Sequence, residues 1–226
     1  MEDNMRFQKL SALILCGAMI FSFAGCSASE TSAGTAADPA VDQDPTAASA
    51  ISEVMAASAV SEAAAPAADN SDDIFVSKYP AFAVTSQSLH DGKWDEVTAN
   101  TVDGKNASPE LSWEPVEGAS TYAIYMIDMD TAYFIHWRSG DITETSLPEG
   151  WASSSDYVGP YPPPGSTHHY NVYVFALKNP VERVKGGVNS ISPKVPEFME
   201  ALDTDADGNT GNIISVGRVT GSYTAK

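Results

Sequence analysis

The run Thr121-Tyr-Ala-Ile-Tyr-Met-Ile-Asp-Met-Asp-Thr-Ala-Tyr-Phe-Ile-His-Trp137 decides how the rest of the chain is read. Its first half, Thr121 to Ile127, is rich in β-branched and aromatic residues and reads as a buried strand. Asp128 and Asp130 follow, two residues apart. On a continued strand they would share a face; at a strand end they line a loop rim. His136 lies inside the apolar Phe-Ile-His-Trp run. A second stretch, Gly159-Pro-Tyr-Pro-Pro-Pro-Gly-Ser-Thr-His-His-Tyr170, is a proline- and glycine-punctuated loop. It delivers His168 to the start of another strand, Tyr170 to Leu177. Two acids and two histidines, each at the edge of a buried strand, make one candidate polar pocket.

Working outward, strand patterns dominate. Phe82 to Leu89 alternates, and Asp91-Gly92 marks a turn. Asn106 to Trp113 is a loop running into a short strand that ends on a buried Trp. Glu117-Gly118 turns into the strand at 121–127, and Ser146-Leu-Pro-Glu-Gly150 is another loop. Pro196 to Leu202 is a helix candidate, and Asn212 to Tyr223 closes the chain as a strand. Many short strands, frequent turns and one or two short helices predict a mainly all-β fold, an antiparallel β-sandwich.

The N-terminal third has a different composition. Arg6 and Lys9 precede an apolar run from Leu10 to Phe23, and Phe23-Ala-Gly-Cys26 closes it. Residues 1–25 therefore read as an export signal. Its ending resembles the lipobox of bacterial lipoproteins, with Phe23 where Leu is usual, which implies lipidation of Cys26. Residues 26–73 read as an acidic, Ala/Ser-rich tether. From residue 27 they hold no aromatic residue and no Lys or Arg, and cannot bury enough apolar surface to order themselves. The folded domain is expected over 74–226. It carries 19 acids against 10 Lys/Arg, a net charge of −9, and no cysteine. An acidic domain without a basic face excludes nucleic acid as a partner, and stability must come from packing without disulfides.

Other chemistries fit the residues less well. The spacing of 128, 130, 136 and 168 matches no compact metal motif. No Gly-x-Ser-x-Gly elbow occurs, and the domain offers no cysteine nucleophile. Asp203, Asp205 and Asp207, followed by Gly208, make the first half of a calcium loop, but Ile214 stands where a bidentate Glu is needed. A plain acidic turn is the preferred reading there, with a partial calcium site as the alternative. His90, beside Asp91-Gly92, reads as a surface turn residue.

Taken together, ordered segments resemble the phosphatidylethanolamine-binding protein family, in its bacterial Raf-kinase-inhibitor-like branch. They are Phe82-x-x-x-Ser86, Ser108-Pro-Glu-Leu-Ser-Trp113, Asp128-x-Asp130 with His136-Trp137, and Ser146-Leu-Pro-Glu-Gly150. Tyr157-x-Gly-Pro-x-Pro-Pro-x-Gly165, His168-x-Tyr170 and Gly221-x-Tyr223 complete the series. The resemblance implies a small anion pocket for phosphate-type head groups, formed by Asp128, His136, Pro160 or Pro162, His168 and Tyr170, with Asp130 close by.

This chain departs from the family's pattern at four places. Met129 stands for a proline, Thr131-Ala132 for Ala-Pro, His169 for an arginine, and Asn212 for a histidine. These changes imply fewer fixed positive charges around the pocket. The expectation is a binding protein without cofactor, extracytoplasmic and held to a membrane at Cys26. Its partner would be a phosphate-bearing small molecule or phospholipid head group, with protein docking and homodimerisation left open. The alternative is a hydrolase-like enzyme using His136 or His168 as general base.

Overall fold

The computed structural model describes residues 68–226, so the expected export signal, Cys26 and the tether up to residue 67 lie outside the described residues. The described residues form eleven strands. The first five are β1 (Ala81–Phe82), β2 (Val84–Thr85), β3 (Leu89–His90), β4 (Lys93–Trp94) and β5 (Leu111–Trp113). They are followed by β6 (Thr121–Asp128), β7 (Phe134–Ile142) and β8 (Ser146–Leu147). Then come β9 (Thr167–Leu177), β10 (Ser190–Ile191) and β11 (Ile213–Thr224). The large sheet runs β10-β7-β6-β9-β11-β4-β3, with β1 also on β11, and β2-β5-β8 form a small second sheet.

The long strands explain the composition of the opening run. All eight residues of β6 are buried. Tyr122, Ile124 and Met126 face the small sheet and pack with Trp113, Leu111 and Leu147. Ala123, Tyr125 and Ile127 face the other way, against Val195, Met199 and Leu202. Those last three come from helix α1 (Val195–Glu200) and the 3₁₀ turn after it (Ala201–Asp203). A strand covered on both faces has no polar side to show, so it reads as an unbroken apolar run. Each such large side chain contributes about 1.5–3 kcal/mol by leaving water.

The mainly β, two-sheet architecture is as expected, with two refinements. The large sheet is mixed, because β1 and β4 both run parallel to β11. The expected strand from Phe82 to Leu89 is broken into pieces. β1 pairs with β11 in the large sheet while β2 pairs with β5 in the small one, so the chain changes sheets at Ala83. Gly217 permits the crossing, since a Cβ there would run into the side chains of Val84 and Phe82. The expected Asp91-Gly92 turn joins β3 to β4, with both residues at positive φ (50° and 73°).

The folded part also starts earlier than residue 74. Asn70 and Asp73, assigned by composition to the tether, are 3% and 4% exposed. Asn70 donates its side-chain amide to the Val216 carbonyl (2.9 Å). Asp73 accepts from Tyr173 Oη (2.8 Å), Arg218 Nη1 (3.0 Å) and the backbone amides of Phe75 and Val76. A carboxylate so completely satisfied can be buried, which composition alone does not reveal.

Candidate functional site

β6, β7 and β9 end together at one edge of the core, and the site is built on their ends. Asp128 is the last residue of β6, and its register partner on β9 is Tyr170. Its Oδ1 accepts the backbone N–H of Asp130 (2.8 Å), starting the turn that leads to β7. That turn holds Ala132 and Tyr133 at φ 46° and 66°, a conformation non-glycine residues seldom adopt. Its Oδ2 lies 2.7 Å from His168 Nδ1. The carboxylate accepts, so His168 is oriented with Nδ1 as donor.

β7 then brings Phe134 and His136 onto one face, two residues apart. His136 is 3% exposed, and its Nδ1–H donates to the Val158 carbonyl (2.7 Å). Burial pushes its pKa down to about 4, against smaller raising effects from the Val158 carbonyl and Asp128. At neutral pH His136 is therefore uncharged, with Nδ1 protonated and Nε2 a lone-pair acceptor. Tyr170, fully buried, has its pKa raised by burial, with Asp128 and Asp130 adding to the effect.

The proline-rich loop forms the remaining wall. The Gly159 amide donates to Asn106 Oδ1 (2.6 Å), and the Pro160 carbonyl accepts from the Asn100 amide (2.9 Å). These bonds fix the loop so that Tyr161, Pro162, Pro163 and Pro164 line a cavity of about 410 Å³. Tyr161 Oη donates to Asn189 Oδ1 (2.7 Å), while β10, paired to the edge of β7, carries Ile191 to the mouth. Five aromatic rings surround the space. Phe134 lies 4.6 Å from His136 and 5.7 Å from Tyr161, centroid to centroid. His136 lies 5.1 Å from Tyr170, and Tyr170 lies 6.5 Å from His168.

Of the residues expected at the pocket, the structure gathers Asp128, His136, Pro162, His168 and Tyr170. Asp130 is not among them. It turns outward and accepts from the backbone amide (2.6 Å) and ring Nδ1 (3.0 Å) of His169. Its burial works to raise the pKa, but those two bonds outweigh it and hold the carboxyl below the usual range. His169, where the family has arginine, is thus occupied by Asp130. Pro160 is also off the cavity, because its carbonyl faces Asn100.

Asn212 does not bear on the pocket either. It is buried between Asn179 and Leu202, donating to both carbonyls and accepting the Asn179 amide. The residues sequence reading missed are Thr131, Phe134, Tyr161, Pro163, Pro164 and Ile191. Phe134 carried a signal, lying two positions before His136 on a strand; Ile191, from a distant edge strand, carried none.

Among the described residues, no three His, Cys, Asp or Glu side chains gather as a metal-binding group. Asp205 Oδ1 instead accepts the Asp207 and Asn209 amides, and Asp203 Oδ1 accepts the Ile213 amide. The carboxylates of that acidic turn tie the turn itself together.

Fold and cavity define a two-sheet β protein with an end pocket of histidine, carboxylate and proline. The family model described as "Phosphatidylethanolamine-binding protein" matches residues 85–220, and the chain belongs to that family. Among solved structures, Escherichia coli YbcL, titled a new member of the mammalian PEBP family, is 26% identical. It aligns over 64% of this chain and 99% of its own, with a TM-score of 0.49. A putative phosphatidylethanolamine-binding protein homolog from Chlamydia trachomatis, CT736, is 21% identical, covering 65% and 99%, with a TM-score of 0.48. No curated protein matches.

Proposed function

We propose that this protein binds the polar head of a phosphate-bearing ligand in the cavity at the ends of β6, β7 and β9. It does so without chemistry, outside the cytoplasm, from a lipid anchor at Cys26. One observation carries the reading: Thr131 and Tyr170 line the cavity, and their hydroxyl oxygens are buried without a hydrogen-bond partner. An unsatisfied buried hydroxyl costs about 1–3 kcal/mol, which a ligand oxygen accepting from it would recover. His168, oriented by Asp128, adds a ring nitrogen at the same space. The prolines supply a wall whose shape is fixed before the ligand arrives. Family membership supports the same reading, as does the lipobox-like ending at Cys26 for the location.

The Asp128–His168 pair favours one second reading. A histidine oriented by a carboxylate is also the arrangement of a general base, so hydrolysis is the alternative. Calorimetric titration of phosphate and phosphoethanolamine into wild type, His168→Ala and Tyr170→Phe tests the proposal. Losing a charge-assisted hydrogen bond is worth on the order of 1.5–3 kcal/mol, so His168→Ala is expected to weaken binding by about tenfold or more. No binding by the folded wild-type domain would sink the proposal. Turnover of a phosphoester by wild type, abolished in His168→Ala, would replace it with the hydrolase.

A further inference from the structure

The wall of the cavity is strand and proline-rich loop except at one place, the turn between β6 and β7. That turn carries Thr131, whose hydroxyl oxygen is buried without a partner. Ala132 and Tyr133 both stand at positive φ (46° and 66°), conformations that persist only where the surroundings over-determine them. Backbone bonds hold part of the turn. The Met129 amide donates to the His169 carbonyl (2.9 Å), and the Asp130 amide to Asp128 Oδ1 (2.8 Å). The Ser192 amide, just past β10, donates to the Tyr133 carbonyl (3.2 Å).

The Tyr133 side chain does not line the cavity; with Met129 it packs on the core layer that includes Ile127 and Ile135. Its ring meets Phe75 edge to face, with centroids 5.0 Å apart and planes at 77°. Phe75 belongs to the segment by which the chain enters the domain, and that segment is clamped without help from the turn. Asn70 donates to the Val216 carbonyl, and Asp73 accepts from Arg218 Nη1 and Tyr173 Oη. Asp73 Oδ1 also accepts the amides of Phe75 (2.8 Å) and Val76 (3.1 Å), which fixes the backbone that carries the Phe75 ring. The same ring leans on Tyr173, centroids 6.0 Å apart.

We infer that Phe75 is a positioning residue for the cavity: it holds Tyr133, and through it the turn that presents Thr131. The segment that joins the domain to the preceding chain is then also a brace for the ligand site. This rests on the reading of the cavity as a ligand site and adds to it a residue that touches no ligand. The Asp73–Arg218 clasp fixes where the brace begins, and the aromatic pair is where it ends. An edge-to-face pair is equivalent to about twofold to tenfold in an equilibrium constant. That is enough to change how often two strained residues leave their conformation.

The test compares full-length wild type with Phe75→Leu, which keeps apolar volume but loses the ring, and Phe75→Tyr, which keeps the ring. Hydrogen exchange resolved to single residues is followed at the Met129, Asp130 and Ser192 amides, with the central amides of β6 and β9 as references. Inorganic phosphate is titrated calorimetrically into the same proteins. In Phe75→Leu the three turn amides should exchange about twofold to tenfold faster relative to the references, and phosphate binding should weaken by a similar factor. Phe75→Tyr should restore both. Tyr133→Leu, which breaks the pair from the other side, should reproduce the Phe75→Leu changes.

Turn amides that exchange no faster than the references in both leucine variants would overturn the inference and reduce Phe75 to core packing. Turn amides that loosen while phosphate affinity stays at the wild-type value would overturn it too. Either result leaves the proposed function standing. No phosphate binding by wild type would remove the proposed function, and with it the ligand that the brace serves.

Discussion

The buried His136 makes the stability of the fold depend on pH in a calculable way. In the folded chain its pKa is depressed to about 4 from an ordinary value of 6.5, chiefly by burial. As pH falls below about 6.5 the unfolded chain takes up a proton at this residue, and the folded chain does not until about 4. The stabilising contribution is thus fully present above the ordinary histidine range and is lost progressively down to the folded value. At 1.36 kcal/mol for each tenfold difference in proton affinity, the loss amounts to about 3 kcal/mol between pH 7 and pH 4.

Depressed carboxylates such as Asp130 also lose stability on acidification, so the measurement must be a comparison. Urea denaturation of wild type and His136→Gln at both pH values isolates the histidine. The wild type should lose about 3 kcal/mol more than the variant, although the variant starts lower for want of the Val158 hydrogen bond. NMR titration of the His136 ring protons gives a second readout, with the ring neutral throughout the ordinary histidine range. Equal losses in both proteins, or a ring that titrates at the ordinary value, would refute the burial argument.

Two further outcomes follow from the chain's start. Asp73→Ala leaves the Arg218 guanidinium with only Asp72 as carboxylate partner and strips Tyr173 Oη of its acceptor. Breaking such a buried pair should lower stability by about 3 kcal/mol, read as a drop in the urea midpoint without loss of the folded baseline. Cys26→Ser should move the full-length protein from the membrane fraction to the soluble or uncleaved one. An unchanged distribution would rule out the lipid anchor.

The elements that sequence made legible are those whose pattern is fixed by local geometry. The unbroken apolar run of β6 announces a strand buried on both faces, and Asp91-Gly92 announces a hairpin turn. Neither says which neighbours do the covering. That α1 covers one face of β6 and the small sheet the other depends on chain reversals far away in sequence. The site divides in the same way. Asp128, His136, His168 and Tyr170 sit at strand ends whose register follows from the strands themselves. Asp130, expected close by the pocket, is directed outward to His169 by a turn, because periodicity stops at the end of a strand. Ile191 arrives through the pairing of β10 with β7, which leaves no trace around residue 191. Asn70 and Asp73 look like solvated tether because composition counts polar atoms without their partners.

β11 has a consequence for the order in which the molecule can be assembled. It is bonded to β9 along its whole length and takes β1 and β4 in parallel, while Val216 and Arg218 receive Asn70 and Asp73. The first-made pieces of the domain therefore dock on its last-made strand. A chain leaving a ribosome or a translocation channel N-terminus first lacks their binding partner until Ile213 to Thr224 has emerged. Closure over so long a separation is intrinsically slow, on the order of milliseconds to seconds for folds dominated by non-local strand pairing. Folding of this domain therefore waits on β11, and a chain cut short before Ile213 loses the docking strand for the domain's N-terminal segment.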